Sequence, residues 1–353
     1  MKNPGVILQI VPRAPGSREG VGDYALTLAT GLRRTRGYET TFVAAHPAAG
    51  SEILAPLARI SDVEWRRHRA IAIVLHYVNY GYHPRGVPWS LPKKIARIQE
   101  LTDARLITIF HELYASGSWR QSAFWLRPLQ KHIARALARS SVACFVSSAA
   151  LAQQLRQLAP GARVIVRPVV STFGEPVLSA AQIVDRDPKR WVICGGTELI
   201  RRSLRSFFRH FTGTAELFVV GGKEQADIRQ LLEAAGKISA HYLPNVEVAV
   251  ASEVLASCAF GWIDYFERAD VPTAAILKST AFAAYCAHGV IPVFPSPGSS
   301  IALGDDALPG PFSLATLPGA TERPSIALAT YDWYERNASS AHLAESIAEV
   351  LAE

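Results

Sequence analysis

The sequence predicts an α/β protein built from two doubly wound domains. Short runs rich in β-branched residues alternate with segments of helical periodicity, as in parallel sheets whose strands are joined by helices. This alternation stops at the charged, proline-containing segment 171–190 and then starts again. The 353 residues are also enough for two domains of ordinary size, at about 150 residues each.

The first domain begins with an apolar run at residues 6–11, which has the length of a strand. A loop containing glycines follows, and then a helix whose Ala25, Leu28, Ala29 and Leu32 recur at helical spacing and predict one buried stripe. Together with the later strands, these elements complete a doubly wound domain that we assign to residues 1–172. The later strands are predicted at residues 41–45, 71–75, 106–110, 143–146 and 164–166.

The second domain is expected at residues 190–330, after a linker at 173–189. Pro176, Pro188 and the mixed charge of the linker are typical of a hinge or a peripheral excursion. The last segment, 331–353, has apolar residues at helical spacing and is expected to form a terminal helix. The predicted strands of this domain are 191–194, 217–220, 260–263 and 290–294, and its predicted helices lie around 204–211, 228–235 and 279–288.

Composition excludes several classes of protein. With 49% apolar and 19% charged residues, the chain can bury a substantial core, which excludes disorder and a fibrous architecture. No apolar run reaches the roughly 18 residues that a membrane span needs, and the first residues lack the pattern of a secretory signal. The four cysteines lie far apart in apolar runs, which favours reduced core residues over disulfides or a zinc site. We therefore expect a soluble, cytoplasmic protein.

The chain carries a formal net charge of +7, which favours anionic partners such as phosphates, acidic polysaccharide or an anionic membrane surface. Nucleic acid is not expected, because no recognition helix, zinc finger or aromatic RNA-binding strand is recognisable. The basic residues cluster at 33–36, 65–69 and 119–139. For any one of these clusters, the plain alternative is a face that points into solvent.

The first candidate motif is the turn Gly20-Val21-Gly22-Asp23-Tyr24 between the first strand and the first helix. Glycines allow a ligand to approach the backbone, and a helix start offers free N–H groups and a positive dipole end. Ala25 stands where a dinucleotide-binding motif needs its third glycine, so nicotinamide binding is not expected. A plain structural turn is the alternative.

Two strand ends carry polar and aromatic residues. One strand ends at Phe110 and is followed by His111, Glu112 and Tyr114. We expect His111 to face a binding cleft, where its imidazole would donate a hydrogen bond to a sugar hydroxyl or carry a proton. The other strand end, at residues 75–82, is rich in Tyr, His and Asn, which suits carbohydrate. A capping or core histidine, and a simple rim of tyrosines, are the alternatives.

Two further motifs lie in the second domain, and both predict phosphate binding. Gly195-Gly196 follows a strand and precedes Arg201 and Arg202 at the start of a helix. Arginine forks bind diphosphate oxygens without a metal, and two adjacent arginines cannot share one helix face. Lys278, Ser279 and Thr280 open another helix and form a compact phosphate seat. Ordinary N-capping by the two hydroxyls is the alternative.

In their order and spacing, these motifs resemble the GT-B glycosyltransferases, and most of all the family 4-like retaining enzymes. The likeness spans nearly the whole chain. It includes residues 283–293, which look like the helix–glycine–strand element of the family, and Trp333-Tyr334 before the last helix. The resemblance implies two Rossmann-like domains facing each other across a cleft, with the C-terminal helix crossing back to the first domain.

The resemblance also implies a nucleotide-diphosphate sugar as donor and a glycan or lipid-linked acceptor, with no bound metal and no cofactor. Gly22 would border the donor diphosphate, His111 would contact the transferred sugar, and Arg202 with residues 278–280 would neutralise the leaving group. The residues carried over as catalytic are His111 and Glu112. Those carried over as donor-binding are Gly20, Gly22, Asp23, Gly196, Arg201, Arg202, Lys278, Ser279 and Thr280, and those carried over as acceptor-binding are His76, Tyr77, Asn79 and Tyr114.

The sequence departs from this family at two places. The positions of its Glu-x7-Glu pattern are apolar here, near Ile276 and Ala284, and Thr197 replaces the first basic residue after the glycine turn. These departures keep two alternatives open. One is a non-catalytic carbohydrate-binding or partner subunit on a degenerate transferase fold, and the other is a nucleotide-sugar epimerase of the same architecture.

The segment 119–139 predicts a basic amphipathic helix. Helical spacing places Trp125, Leu129 and Ile133, or alternatively Leu126, Leu129 and Ile133, along one stripe. Arg127, Lys131 and Arg135 lie along another. Such a helix can lie on an anionic bilayer, which would make the protein peripheral at the inner face of the membrane, where a lipid-linked glycan is presented. The alternative is that the aromatic residues pack into the core and the arginines face water.

Overall fold

The structure is a computed structural model that describes residues 5–16, 20–46, 57, 59–115, 122–266, 273–296 and 298–353. Its strands are β1 (Val6–Arg13), β2 (Glu39–His46), β3 (Ala70–Tyr77), β4 (Arg105–Phe110), β5 (Ala143–Val146), β6 (Val164–Val166), β7 (Arg190–Cys194), β8 (Ala215–Val220), β9 (Ile238–Leu243), β10 (Phe260–Trp262), β11 (Ile291–Val293), β12 (Ala302–Leu303) and β13 (Asp306–Ala307).

The described α-helices lie between these strands and at the end of the chain, and short 3-10 segments occur at Thr273–Lys278 and Leu314–Thr316. The helices are α1 (Gly20–Arg36), α2 (Asp62–Arg67), α3 (Asn79–Tyr82), α4 (Leu91–Thr102), α5 (Ser122–Ser140), α6 (Ala149–Leu158), α7 (Ala180–Val184), α8 (Thr197–His210), α9 (Ala226–Glu233), α10 (Val248–Ser257), α11 (Thr280–Ala287), α12 (Arg323–Asn337) and α13 (Ser340–Ala352).

The chain forms two compact units. The first unit contains Met1–Pro168 together with Ser340–Glu353, and the second contains Val169–Ser339. Each unit has one main sheet whose strands all pair in parallel, and each strand is followed by helices that cover the sheet faces. The predicted fold class, two Rossmann-like α/β domains, is confirmed.

The sheet of the first unit has the strand order β2-β1-β3-β4-β5-β6. Its central strands are almost wholly buried, as expected for a parallel sheet with helices on both faces. Leu8, Ile73 and Leu106 belong to the main hydrophobic core of this unit. Polar side chains inside these strands are therefore conspicuous, and Gln9 and His76 are both fully buried.

The last helix, α13, packs against α1 of the first unit. A Cβ atom added at Gly31 of α1 would lie 2.6 Å from the backbone oxygen of Ser340, so only glycine allows this close approach. Arg105 in β4 donates to the backbone oxygen of Leu351 at 3.0 Å. The return of the C-terminal helix to the first domain is therefore confirmed.

The sequence predicts a single terminal helix over residues 331–353, but in the structure this segment belongs to two helices, α12 and α13. Residues 331–337 belong to α12, which stays in the second unit. The backbone N–H of Ser171 donates to the hydroxyl of Tyr334 at 2.8 Å, and that hydroxyl donates to Glu175 at 2.6 Å. The Trp333 indole donates to the backbone oxygen of Asp306 at 3.1 Å. These bonds anchor α12, so the helical chain divides at residues 338–339.

The sheet of the second unit has the order β11-β10-β7-β8-β9, around a core rich in aromatic rings. Trp191 packs against Phe207 and Phe260, with ring centroids 5.6 and 4.8 Å apart. The edge strand β9 was not predicted from the sequence. In β9 no residue is fully buried and exposed residues alternate with partly buried ones, so it lacks the apolar run by which the other strands were recognised.

The segment expected to be a linker, 173–189, is part of the second unit. It contains α7 and the buried side chain of Arg186. The Arg186 guanidinium donates to the backbone oxygens of Gln182 (3.1 Å), Cys258 (3.1 Å) and His288 (2.7 Å), which lie near the carboxyl ends of α7, α10 and α11. The negative dipole ends of three helices thus surround one cation, whose pKa burial lowers to about 10. This packing explains why the segment is not a free linker.

Candidate functional site

In the first unit, the candidate residues gather at the carboxyl edge of the sheet. His76 lies near the end of β3, His111 directly follows β4, and α1 begins after β1. The strand order reverses between β1 and β3, and ligands of open α/β sheets bind at such a reversal. Parallel pairing therefore brings together motifs that are distant in sequence.

A buried relay of hydrogen bonds connects these strands. The amide of Gln9 donates through Nε2 to the backbone oxygen of Ala25 at 3.2 Å. A carbonyl oxygen only accepts, so the Gln9 Oε1 faces His76 and accepts from its Nε2–H at 2.7 Å. The remaining nitrogen of His76, Nδ1, lies 3.3 Å from Nε2 of His111 and accepts its proton. The network thereby assigns the tautomer of both neutral imidazoles.

Both imidazoles are held neutral by their surroundings. Burial lowers the pKa of His111 to about 4. Burial also lowers the pKa of His76 well below its usual value, and the positive charge that His111 would carry lowers it further. The two rings stack with centroids 5.6 Å apart, and Tyr24 meets His111 edge-on at 4.9 Å. The proton pattern of the relay therefore persists at neutral pH.

The free nitrogen of His111 is consequently an acceptor. Among the residues that the structure describes, its Nδ1 has no hydrogen-bond partner, and the side chain is partly exposed. The sequence predicts that the imidazole donates to a sugar hydroxyl or carries a proton. The relay leaves a lone pair on Nδ1, so this nitrogen suits a hydroxyl that donates to the ring or a proton that the ring accepts.

The other residues predicted at these strand ends lie elsewhere than expected. Tyr77 points to the opposite face of the sheet from His76, where it packs in the core against Phe110 with ring centroids 5.4 Å apart. Burial raises its pKa, and the charge of Glu112 raises it further. Asn79 is also fully buried, and its side-chain oxygen accepts from the Tyr80 N–H at 3.1 Å. Neither side chain presents the surface expected of an acceptor contact.

Tyr114 anchors its loop to α5. The ammonium of Lys131 lies 4.7 Å from the centroid of the Tyr114 ring, and Arg127 donates to the backbone oxygen of Ala115 at 3.0 Å. The backbone N–H of Ala115 donates to Gln130 at 2.8 Å. Glu112 is exposed near the beginning of this loop. The α5 contacts thus hold the loop that carries His111 and Glu112.

The predicted glycine turn is the first turn of α1, and it packs against the preceding loop. A Cβ atom at Gly22 would lie 3.1 Å from the backbone oxygen of Ala14, so the glycine serves close packing of the chain with itself. Gly20 is exposed and opens α1. Burial raises the pKa of Asp23, and a hydrogen bond from the backbone of Gly16 opposes this shift. Residues 17–19 of the predicted loop lie outside the described residues.

In the second unit, two helices begin side by side at the carboxyl edge. Gly195 has a φ of +131°, and Gly196 is the N-cap of α8. A Cβ atom on Gly195 would lie 3.3 Å from the Cβ of Ala281, in the first turn of α11. The N–H groups and positive dipole ends of α8 and α11 therefore lie close together, which suits an anion.

Below these helix starts, the hydroxyl of Tyr285 bridges the ends of β7 and β10. It accepts from the backbone N–H of Cys194 at 3.1 Å and lies 2.9 Å from the backbone oxygen of Trp262. The two residues end β7 and β10, which pair only at their beginnings. A Cβ atom at Gly261 would lie 2.7 Å from the Tyr285 ring, so the strand needs a glycine there. The strand order of this sheet also reverses between β10 and β7.

At the predicted phosphate-binding residues 278–280, Ser279 serves as a helix cap. Ser279 is the N-cap of α11, and its Oγ accepts from the backbone N–H of Phe282 at 3.3 Å. This is the alternative that the sequence analysis left open for Ser279. Lys278 is exposed and Thr280 is partly exposed, so their side chains remain accessible to a ligand.

The two adjacent arginines of α8 are held by protein groups. Arg201 binds both carboxylate oxygens of Asp227, at 2.6 and 3.2 Å, and also pairs with Glu198. Arg202 donates to the backbone oxygens of Asp264 at 2.6 Å and Tyr265 at 3.1 Å. Both line a cavity of about 560 Å³ along α8. Instead of offering a free fork to a diphosphate, they position α9 and the loop after β10.

Several residues of these edges were missed by the sequence analysis. Gly221 and Gly222 follow β8 with φ of +95° and +66°, and the backbone N–H of Lys223 donates to Thr197 Oγ1 at 2.9 Å. The run Val-Val-Gly-Gly-Lys after a strand was the available signal. Gln9 could have been recognised as a polar residue inside an apolar strand. Arg205 and Arg209 line the α8 cavity and were not singled out.

The described residues contain no group of three His, Cys, Asp or Glu side chains that could hold a metal ion.

Comparison with known proteins identifies the fold. No protein family matches the sequence, and no curated protein is similar to it. HepE of Anabaena in complex with UDP is similar in structure, with a TM-score of 0.61 over 99% of each chain and 11% identity. AviGT4, a glycosyltransferase involved in avilamycin A biosynthesis, has a TM-score of 0.51 over 99% of this chain and 97% of its own, at 15% identity.

A third similar structure is an E. coli protein, described as trehalose-6-phosphate, bound with UDP-2-fluoro glucose. Its TM-score is 0.57 over 99% of each chain, at 11% identity. At such identities, the likeness shows the fold alone. The chain has the GT-B fold of two Rossmann-like domains.

The neutral histidines predict a pH dependence of stability. His76 and His111, and His288 in the second unit, have pKa values lowered chiefly by burial, to about 4 for His111 and His288. Unfolding returns them to about 6.5, so the unfolded chain binds more protons below that pH. We expect the free energy of unfolding to be fully retained above pH 6.5. Below it, the loss should reach about 1.4 kcal/mol per pH unit for each such histidine.

Chemical denaturation between pH 5 and 8 measures this slope. His210 is exposed, so His210→Gln is the control and should leave the slope unchanged. A free energy of unfolding that stays constant from pH 7 to pH 5 would contradict the assignment of neutral, buried imidazoles.

Proposed function

We propose that the protein is a glycosyltransferase that moves a sugar from a nucleotide-diphosphate sugar to a glycan or lipid-linked acceptor. The observation that carries this proposal is the pair of helix starts, α8 and α11, at the strand reversal of the second unit. Similar structures support it, since they include HepE in complex with UDP-glucose and with UDP. Polysaccharide or glycoconjugate synthesis of bacterial type is the proposed setting.

The transfer breaks the bond between the anomeric carbon and the diphosphate oxygen, and both electrons remain with the diphosphate. A new bond forms between the anomeric carbon and an acceptor hydroxyl oxygen, whose proton passes to the leaving diphosphate. We assign stabilisation of the charge on the diphosphate to the N-termini of α8 and α11, with Lys278 and the hydroxyl of Thr280. Arg202 contributes by holding the loop after β10. This arrangement would replace a metal ion, and the resemblance to family 4-like enzymes favours retention at the anomeric carbon.

The proposed role of His111 follows from its free nitrogen. Nδ1 would accept a hydrogen bond from a hydroxyl of the transferred sugar and orient it. Gln9 and His76 are positioning residues, because they keep the proton on His111 Nε2. Glu112 is the exposed carboxylate next to this group and is proposed to act with it.

A second function, a non-catalytic carbohydrate-binding or partner subunit, is favoured by one observation. Ile276 and Ala284, which occupy the region of the family's carboxylates, are both fully buried in the core. Release of nucleotide with an acceptor supports the transferase and excludes the subunit. An epimerase would change the donor sugar without any acceptor.

The first test concerns the leaving group. We expect a nucleoside diphosphate to stabilise the protein in a thermal-shift screen over the common bases. Lys278→Ala should weaken its binding by about tenfold or more and lower turnover by roughly 10²–10³-fold, because a charged donor is lost. Lys237→Ala, an exposed lysine of the same unit, is the matched control and should behave as wild type. Full donor affinity and turnover in Lys278→Ala would refute this assignment.

The second test concerns the relay. His111→Ala should lower turnover by roughly 10²–10³-fold while leaving nucleoside diphosphate affinity unchanged. Gln9→Leu should lower turnover less and should change the ring-nitrogen ¹⁵N shifts of His76 and His111, since the donor and acceptor order is lost. Wild-type turnover in His111→Ala, or unchanged shifts in Gln9→Leu, would contradict the role given to the relay.

We also propose peripheral association with an anionic membrane through α5. Trp125 and Leu129 are 68% and 40% exposed, and with Pro128 and His132 they form an exposed stripe at helical spacing. Trp89, 56% exposed, stacks on His132 with centroids 5.5 Å apart and extends this stripe. The predicted stripe differs at Ile133, which is buried in the core.

The basic residues of α5 contribute only part of the attraction to an anionic membrane, because they also contact other groups of the protein. Arg127 lies over the Phe124 ring, with its central carbon 4.8 Å from the centroid, and Arg135 donates to the backbone oxygen of Leu158 at 2.8 Å. Residues 119–121 of the predicted segment lie outside the described residues. No helix among the described residues is long and apolar enough to cross a membrane.

Liposome sedimentation tests this association. We expect binding to anionic vesicles at low salt and release at high salt, because the attraction to anionic lipid is screened. Trp125→Ala should weaken binding about fivefold or more, since an indole at the headgroup level is lost. Val177→Ala removes a side chain that is 88% exposed in the second unit and is the matched control. Equal recovery in the supernatant with anionic and neutral vesicles at both salt concentrations would exclude the association.

A further inference from the structure

A cavity of about 440 Å³ lies in the first unit, between the end of β2 and the start of α4. This volume is within the range of small-molecule sites, roughly 300–1,000 Å³. One part of its wall is apolar and includes Leu57 and Leu91, while another part carries His83, Ser90 and Lys94. None of these residues belongs to the strand-end sites described above.

The polar wall offers hydrogen-bond donors and positive charge. Nδ1 of His83 accepts from the backbone N–H groups of Arg85 (3.2 Å) and Val87 (3.4 Å), so neutral His83 carries its proton on Nε2. That Nε2 has no partner among the described residues, and the exposed Lys94 makes no ion pair with them. Ser90 is the N-cap of α4 and makes no capping bond with its side chain.

An aromatic platform stands beside these donors. The Trp89 ring lines the cavity, and its stacking on His132 at an interplanar angle of 20° fixes its orientation while more than half of it stays exposed. Aromatic faces pack against the C–H face of a sugar ring, and an ammonium with N–H and O–H donors binds an oxyanion. The cavity therefore offers one surface for a sugar ring and another for an acidic group attached to that ring.

The cavity is also connected to the histidine pair. Tyr82 lines it, and the Tyr82 hydroxyl lies 3.0 Å from the backbone oxygen of His76 and 3.1 Å from that of Ile10. Both the cavity and the relay therefore lie at the carboxyl edge of the same sheet, and Tyr82 lines the cavity while it bonds to the backbone of His76.

We propose that this cavity binds the acceptor and that the acceptor carries a sugar phosphate. The sugar packs on Trp89, and the phosphate binds Lys94, the Nε2–H of His83 and the Ser90 hydroxyl. This inference rests on the proposed transferase function, since it names the acceptor class of that reaction. It replaces Tyr77 and Asn79, which are buried, as the acceptor contacts.

Calorimetry on the full chain tests the site with four probes: glucose 1-phosphate, glucose 6-phosphate, glucose and inorganic phosphate. We expect at least one sugar phosphate to bind roughly tenfold more tightly than either glucose or inorganic phosphate. Lys94→Ala and Trp89→Ala should each weaken that binding about tenfold. Lys93→Ala, the adjacent exposed lysine that does not line the cavity, is the matched control and should change it less than twofold.

Other outcomes overturn the inference. Equal binding of inorganic phosphate and sugar phosphates would reveal an anion site without sugar recognition, and equal losses in Lys94→Ala and Lys93→Ala would place the ligand elsewhere. A thermal shift with nucleoside diphosphates on the same variants separates the two proposals. If nucleotide binds every variant but no sugar phosphate binds, the cavity inference alone fails. Lys94-dependent binding of a sugar phosphate without any nucleotide binding would remove the transferase function and the acceptor role with it, leaving a sugar-phosphate site without a transfer reaction.

Discussion

Parallel strand pairing is the constraint on which the rest of this structure depends. A parallel strand must be followed by a crossover, so all strands of a sheet end at the same edge, and the helices of the crossovers begin there. In the first unit this rule unites α1, His76 and His111, and in the second it unites the starts of α8 and α11. Residues far apart in sequence become neighbours because all strands of a parallel sheet end at one edge.

The same constraint makes polar residues within the strands costly. A parallel sheet covered on both faces buries Gln9 and His76 completely, and an unpaired amide or imidazole there would lose its hydrogen bonds to water. Each group instead satisfies the next, from the Ala25 carbonyl to His111. The hydrogen bonds of these buried groups then determine which nitrogen of His111 carries the proton. The core therefore determines that His111 offers an acceptor, and not a donor, at the end of its strand.

In the second unit, charge is arranged by the ends of helices. The carboxyl ends of α7, α10 and α11 surround the guanidinium of Arg186, whereas the amino ends of α8 and α11 meet at the opposite, open edge. The helix α11 takes part in both, with the buried Arg186 cation at its carboxyl end and the Ser279 cap at its amino end. The packing around Arg186 and the proposed anion site therefore use opposite ends of the same helix dipole.

The sequence by itself determined the α/β class, the two domains and most strands, because these depend on apolar periodicity and glycine positions that are local. The return of the last helix was implied by the resemblance to the GT-B enzymes. The sequence also identified His111 and Gly196 as residues at strand ends and residues 278–280 as the start of a helix. Only the tertiary structure decided what their side chains do. Arg201 is occupied by Asp227, Tyr77 is in the core, residues 173–189 pack through Arg186, and Gln9 sets the His111 tautomer. Each of these depends on a partner distant in sequence, and a local pattern carries no information about which partner the fold brings near.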